Sequence, residues 1–200
     1  MQPPTSRKER ERQNRRNAIL EAAQAILQEE GVEALSVRNI AKRAGLSTMG
    51  VYSYFGGKDQ VCEELYVAGF RDLATAVGMA RAYKDPEAVV VESTRNYLEF
   101  YQHNENRYAL MFGMGASDYT PGEAAKRAAR ESFEVAIGLV QPLTEDIDTT
   151  SDAERLALQI WASTHGFIAI KPHASGIDEG VWQELVIEST RQLIRGQATS

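Results

Sequence analysis

Two hundred residues, 43% hydrophobic and 25% charged, suffice for one large domain or two small ones with an ordinary buried core. No apolar run approaches a membrane span, no apolar N-terminal core marks a signal peptide, and the single Cys62 excludes an internal disulfide framework. The net charge of −6 divides unevenly: residues 1–58 hold ten Lys/Arg against six Asp/Glu (+4), and residues 59–200 hold twelve against twenty-two (−10), so only the N-terminal end is suited to a polyanion.

In chain order, residues 1–10 read as a mobile arm leading into a basic run of Arg7, Lys8, Arg10, Arg12, Arg15 and Arg16. That run is either a solvated helix start or an arm that touches phosphates or reaches into a minor groove. A helix then extends to about Glu30, with Ile19, Ala22, Ala23, Ile26 and Leu27 on one face and Gly31 as its stop. Ser36 is the expected N-cap of the next helix, whose Val37, Ile40, Ala41 and Ala44 follow at i, i+3, i+4 and i+7. Gly45 can adopt the left-handed backbone that closes it, and Leu46 supplies the apolar residue that often follows. Ser47 then caps a second helix from Thr48 to about Phe55, which turns Val51, Tyr54 and Phe55 inward and ends at Gly56-Gly57.

Two short helices, a tight turn and a polar outer face make a helix-turn-helix of the kind that reads DNA. Basic and hydroxyl side chains are left facing out, Ser47 and Ser53 among them. Thr48 and Met49 open the second helix, where a hydroxyl can bond a base and a thioether can pack on a thymine methyl; Gly50 leaves room for the groove wall. Arg38, outside on the first helix, is placed for guanine or a nearby phosphate.

The remainder reads as helical, giving an all-α chain of about nine helices with no internal repeat. A connecting helix is expected over 59–82, and Asp85-Pro86 opens the next, to about Tyr101. Polar residues 103–106 break it, a short aromatic helix runs from Arg107 to Phe112, and a loop of small residues spans Gly113 to Gly122. Helices follow from about Glu123 to Val140, from a capping box at Ser151-Asp152-Ala153-Glu154 to Lys171-Pro172, and from Asp178 to Arg195; an acidic loop (Glu145, Asp146, Asp148) separates the first two. Cys62 is read as a small apolar filler or, alternatively, a redox switch.

Ala162, Gly166 and Ala169 lie at i, i+4 and i+7, a narrow stripe that lets another helix approach closely, either within the chain or from a second subunit. Tyr97, Phe100, Tyr101, Tyr108, Met111, Phe112 and Met114 are crowded together in sequence; they are either core or, with Phe133, Trp161 and His165, the lining of an apolar pocket. By itself His165 reads as a core histidine. No catalytic residues, cofactor or metal ligands are expected: His103, His165 and His173 lack ligand spacing, and nucleophile elbow, phosphate loop and dinucleotide fingerprint are all missing from the sequence.

Four stretches carry a family resemblance: Arg16–Ala23, Glu30–Leu35, Ile40–Ser47, and Val51–Lys58 with its Tyr-x-Tyr-Phe-x-x-Lys ending. In one register they resemble the DNA-binding segment of the tetracycline-repressor (TetR) family of bacterial transcriptional regulators. Trp161-x-x-x-His165-Gly166 is similar to a C-terminal sequence of some of its members. The resemblance implies a DNA-binding domain over 1–58 and an effector-binding and dimerisation domain over 59–200. It places Tyr52 and Lys58 at backbone-phosphate contacts, and it implies that the last two helices of each subunit, with Ala162, Gly166 and Ala169, form a four-helix dimer interface. A small-molecule effector would bind among Phe100, Tyr101, Tyr108, Met111, Phe112, Phe133, Trp161 and His165 and release double-stranded operator DNA. The expectation is a cytoplasmic homodimeric regulator, a repressor, with no membrane partner and no enzyme activity.

Overall fold

The computed structural model describes residues 7–114, 118–144, 150–174 and 176–197, and among these every regular element is helical. The α-helices are α1 (Arg7–Glu30), α2 (Val37–Arg43), α3 (Thr48–Phe55), α4 (Lys58–Gly78), α5 (Pro86–His103), α6 (Glu105–Phe112), α7 (Glu123–Val140), α8 (Thr150–Ile170) and α9 (Glu179–Gln197). The all-α class and the order of elements agree with the sequence reading.

Several boundaries move. Arg7 to Arg10 form the first turn of α1 and not an arm, and Arg7 Nε lies 3.0 Å from Glu11 one turn on; residues 1–6 lie outside the described residues. The connecting helix stops at Gly78 and tightens into a 3-10 turn over Met79–Ala82. Only Asn104 leaves helical backbone (φ −139°) between α5 and α6, so α6 begins at Glu105. Pro86 does open α5, with the Asp85 carboxylate accepting a hydrogen bond from Ala88 N at 2.8 Å. The acidic loop and the Ser151 side chain also lie outside the described residues.

The chain divides into two compact units, one running to Phe70 with Asn104–Arg127 added, the other comprising Arg71–His103 and the chain from Ala128 onward. In the first, α1 supplies Ile19, Ala23, Ile26 and Leu27 to a core completed by Ile40 and Ala41 of α2, Val51 and Phe55 of α3, and Val61, Cys62 and Leu65 of α4. Leu110 of α6 joins it, so this packed unit extends well past residue 58. Asn106 of α6 donates from Nδ2 to the Gln28 carbonyl at 3.1 Å, satisfying an acceptor in the last turn of α1. Ile40 and Val51 are fully buried where α2 meets α3; truncating Ile40 to alanine removes about 2–5 kcal/mol. Burial pushes the Cys62 thiol up to about 11, which keeps it protonated and favours the filler role.

The second unit has its own core. Val90 of α5, Val140 of α7, Ala153, Leu156, Ala157 and Ile160 of α8, and Ile194 of α9 are buried together, with Phe133 and Ile137 against them. Thr94 and Thr190, both buried, return their hydroxyls to the carbonyls four residues earlier, so neither leaves a polar atom unsatisfied.

Candidate nucleic-acid interface

The two helices α2 and α3 are set by local chemistry. Ser36 Oγ accepts from Asn39 N and Ser47 Oγ accepts from Gly50 N, each at 3.2 Å, so both expected N-caps form. Between them, Leu46 N donates to Ala41 O (2.9 Å) and Gly45 N to Lys42 O (3.3 Å), the paired bonds of a Schellman turn. That turn needs the left-handed backbone of Gly45 (φ +65°), which a side chain would strain. Gly56 (φ +75°) closes α3 in the same way, donating to Tyr52 O at 2.8 Å.

Backed by Val51 and Phe55, α3 presents its other face to solvent. Thr48, Met49, Tyr52 and Ser53 are exposed on it, Met49 by 74%, and Ser47 and Arg38 are exposed beside them. Gly50 is half-buried, and a Cβ there would come no closer than 3.6 Å to Leu46 Cβ. Lys58, the first residue of α4, is half-buried. Met49 and Tyr52 are thus left to solvent on the helix whose Val51 and Phe55 are buried.

The charges nearby are of two kinds. Arg43 is committed within the protein: it donates to Glu29 at 2.5 Å and lies 3.6 Å from Glu30, and its hydrogen bond is the main cause holding the Glu29 carboxyl below its ordinary value. Lys8, Arg12 and Arg15 line a groove with Glu9, Glu11, Ser53 and Tyr54, and Arg12 lies 3.9 Å from the Glu9 carboxylate at the exposed surface. Their i, i+4, i+7 spacing puts them on one face of α1, beside the end of α3. That spacing was available in the sequence, yet the basic run gave no reason to prefer these residues over Arg7 or Arg10.

The aromatic residues expected to line one pocket are divided between the two units in chain position. In the first unit Tyr108 and Met111 are buried, the Tyr108 and Phe112 rings lie 4.3 Å apart, and Phe112 meets Phe70 edge-on at 5.3 Å. In the second, Trp161 lies 5.6 Å from Phe133 and 6.4 Å from His165, and donates from Nε1 to the Tyr97 hydroxyl at 3.0 Å. Burial holds the His165 imidazole below its ordinary pKa, favouring the neutral ring. Phe100 is buried and Tyr101 half-buried, with Lys171 Nζ 5.8 Å from the Tyr101 ring centre.

On α8 Ala162 is exposed, Gly166 and Ala169 are half-buried, and a Cβ on Gly166 would meet no atom within 4 Å. Leu158 and Ile170 extend this row as exposed apolar residues, and Val181 and Leu185 are exposed on α9. The two helices are joined by a Ser163–Ser189 hydroxyl pair at 2.9 Å. Leu158 was readable as the position one turn before Ala162; Val181 and Leu185 had no marker to separate them from core. Among the described residues no helix is long and apolar enough to cross a membrane, and no group of three or more His, Cys, Asp or Glu is placed to hold a metal ion.

Comparison with known proteins points the same way. Residues 19–65 match the model for bacterial regulatory proteins of the tetR family, and residues 90–175 match a tetracyclin repressor-like C-terminal domain. The HTH-type transcriptional repressor KstR2 of Mycobacterium tuberculosis is 37% identical over 89 residues, 44% of this chain but only 40% of the length of KstR2. The fold is shared with a protein of unknown function from Rhodococcus sp. RHA1 (TM-score 0.76, 24% identity, covering 91% of this chain and 94% of that one). It is shared too with the TetR family transcriptional regulator PfmR from Thermus thermophilus (TM-score 0.64, 20% identity, 88% and 97%). With a capped helix-turn-helix exposed for contact and family matches in both halves, the chain belongs to the TetR family of DNA-binding transcriptional regulators.

Proposed function

We propose that this chain is a dimeric, ligand-responsive repressor of transcription, which binds a near-palindromic operator in the bacterial cytoplasm and is not an enzyme. The observation that carries the reading is the exposed row Arg38, Thr48, Met49 and Tyr52, held rigidly by caps and core at the front of the helix-turn-helix. Side chains on such a row can reach base edges, while Tyr52, Lys58 and the hydroxyls of Ser47 and Ser53 serve phosphates. KstR2, a relative over part of its length, is described as a repressor, which supports that sense of regulation.

Two reading helices are needed for a palindrome, and the exposed Leu158, Ile170, Val181 and Leu185 of α8 and α9 support pairing with a second copy through these helices. Residues 1–58 would carry DNA contact, and 59–200 dimerisation and effector binding. A small apolar or amphipathic effector, bound among the aromatic side chains around Trp161 or Tyr108, would release DNA by favouring the conformation that binds it less well. Coupling of about 1–3 kcal/mol weakens operator affinity by roughly 5–150-fold.

Selection of bound duplexes from fragments of the source genome tests this. The expected result is a near-palindrome with half-sites about one helical turn or more apart, bound by a dimer. Apolar metabolites suggested by the neighbouring genes should then raise thermal stability and weaken operator binding together. A specificity ratio near one against random duplex would instead indicate a sequence-blind DNA protein. An effector that binds saturably and leaves DNA affinity unmoved would remove the switch from the proposal.

A further inference from the structure

The side chain of Arg16 touches three helices at once. It belongs to α1; its guanidinium forms an ion pair with Glu64 of α4; and its Cζ lies 4.7 Å from the ring centre of Phe55, the last residue but for its cap of the reading helix α3. We infer that Arg16 is a positioning residue for α3, and that its charge supports operator recognition without meeting a phosphate. The inference rests on the DNA-binding role of α2 and α3.

Geometry is the first support. With eight residues, α3 is too short to be held by its own hydrogen bonds, and its direction depends on what its inward side chains meet. Val51 sits in the core near the start, and Phe55, 7% exposed, is the anchor at the far end. A guanidinium plane over an aromatic face fixes that ring by cation–π attraction and dispersion. The carboxylate of Glu64 holds the same guanidinium from the opposite element, so the ring, α1 and α4 share one pivot.

Charge is the second. Arg15, the neighbour of Arg16 in sequence, faces the groove with Lys8 and Arg12, the i, i+4, i+7 face suited to phosphate. Arg16, one turn after Arg12, reaches Glu64 and the Phe55 ring instead, and its side chain is only 30% exposed. Its positive charge is already met by Glu64, so little is left to displace a DNA counterion. The two adjacent arginines therefore act through different terms, Arg15 through counterion release and Arg16 through the aim of the reading helix.

The salt dependence of DNA binding separates these roles. The proteins compared are wild type, Arg16→Met, Arg16→Lys, Glu64→Gln and the Arg16→Met/Glu64→Gln double variant. Each is titrated with the duplex selected by wild type and with a scrambled duplex of the same composition, at several salt concentrations. Circular dichroism melts confirm that each is folded at the titration temperature. Arg16→Met and Glu64→Gln should each weaken the selected duplex by about 5–30-fold and leave the scrambled duplex within about twofold. The slope of log K against log salt should be unchanged, and the double variant should be no weaker than the worse single one. Should Arg16→Met prove unfolded, Glu64→Gln and Arg16→Lys must still give the selective loss.

A slope flattened by about 1, with both duplexes weakened alike, would make Arg16 a phosphate contact and overturn the inference. So would additive losses in the double variant, or Glu64→Gln binding as wild type. If wild type selects no duplex at all, the DNA-binding role fails first and this inference with it.

Discussion

The carboxylate of Glu63 on α4 accepts a hydrogen bond from the hydroxyl of Tyr119, which lies in the segment leading into α7. The same carboxylate accepts from Gly122 N and Ala125 N, both at 2.9 Å, and so occupies the N-terminus of α7 as a capping anion. A Cβ on Gly122 would stand 2.9 Å from Glu63 Oε1, so any side chain there would push the carboxylate out of its present place. Glu63 and Glu64 are consecutive: one holds the start of α7, the other pairs with Arg16, whose guanidinium lies over the Phe55 ring of α3.

This arrangement has a pH consequence. Burial opposes the charge on Glu63, but the hydrogen bonds from Tyr119, Gly122 and Ala125, with Lys126 nearby, outweigh it and hold the carboxyl below its ordinary value. A depressed carboxyl contributes stability above its unfolded pKa and loses it as pH falls through the native value. Glu63→Gln, which turns an amide N–H toward donors, should cost about 1–2 kcal/mol at pH 7, allowing for partial solvent screening. In thermal melts the deficit against wild type should shrink as pH falls below about 4.5. A deficit independent of pH would mean that packing, not charge, is what the substitution disturbs.

Phosphate contacts are tested by salt. Lys58→Ala and Arg12→Ala should each weaken selected and random duplex by similar factors and flatten the salt slope by roughly 1. Fluorescence anisotropy between about 50 and 200 mM salt resolves such a change. If Lys58→Ala keeps full affinity at low salt, the half-buried position of Lys58 reflects structure and not DNA contact.

Base reading should concentrate at the front of α3. Thr48→Ala or Arg38→Ala is expected to cost about 1–3 kcal/mol of discrimination at one operator position while sparing the others. Binding to a panel of single-base operator variants measures it. Unaltered preferences at every position in both proteins would move the reading surface away from these residues.

What could be read from sequence was what local chemistry decides. The caps at Ser36 and Ser47, the stops at Gly45 and Gly56, and the inward row Ile40, Ala41, Val51 and Phe55 all follow from neighbours within a turn or two. The contacts of Arg16 with Glu64 and of Glu63 with Tyr119 span 48 and 56 residues, and no periodicity announces a pair so far apart. The hydrogen bond from Trp161 to Tyr97 spans 64 residues and is unannounced for the same reason. Likewise Val181 and Leu185 match core residues in type, and only their exposure of 53% and 45% distinguishes them.

The proposed dimer gives the cleanest test, because Gly166 has open space in the single chain. A Cβ there meets nothing within 4 Å, and leucine is a better helix former than glycine by about 0.8 kcal/mol. Gly166→Leu should therefore leave helix content and the intrachain core of α8 and α9 intact. If Ala162, Gly166 and Ala169 form the close approach between subunits, the same leucine forces the facing backbones apart. Light scattering should report a monomer, and operator affinity should fall because the two reading helices no longer bind as one unit. Circular dichroism should remain that of wild type, which distinguishes separation from misfolding. A stable dimer with normal operator affinity would move the interface off this row, leaving Val181 and Leu185 of α9 as the next residues to replace with charged ones.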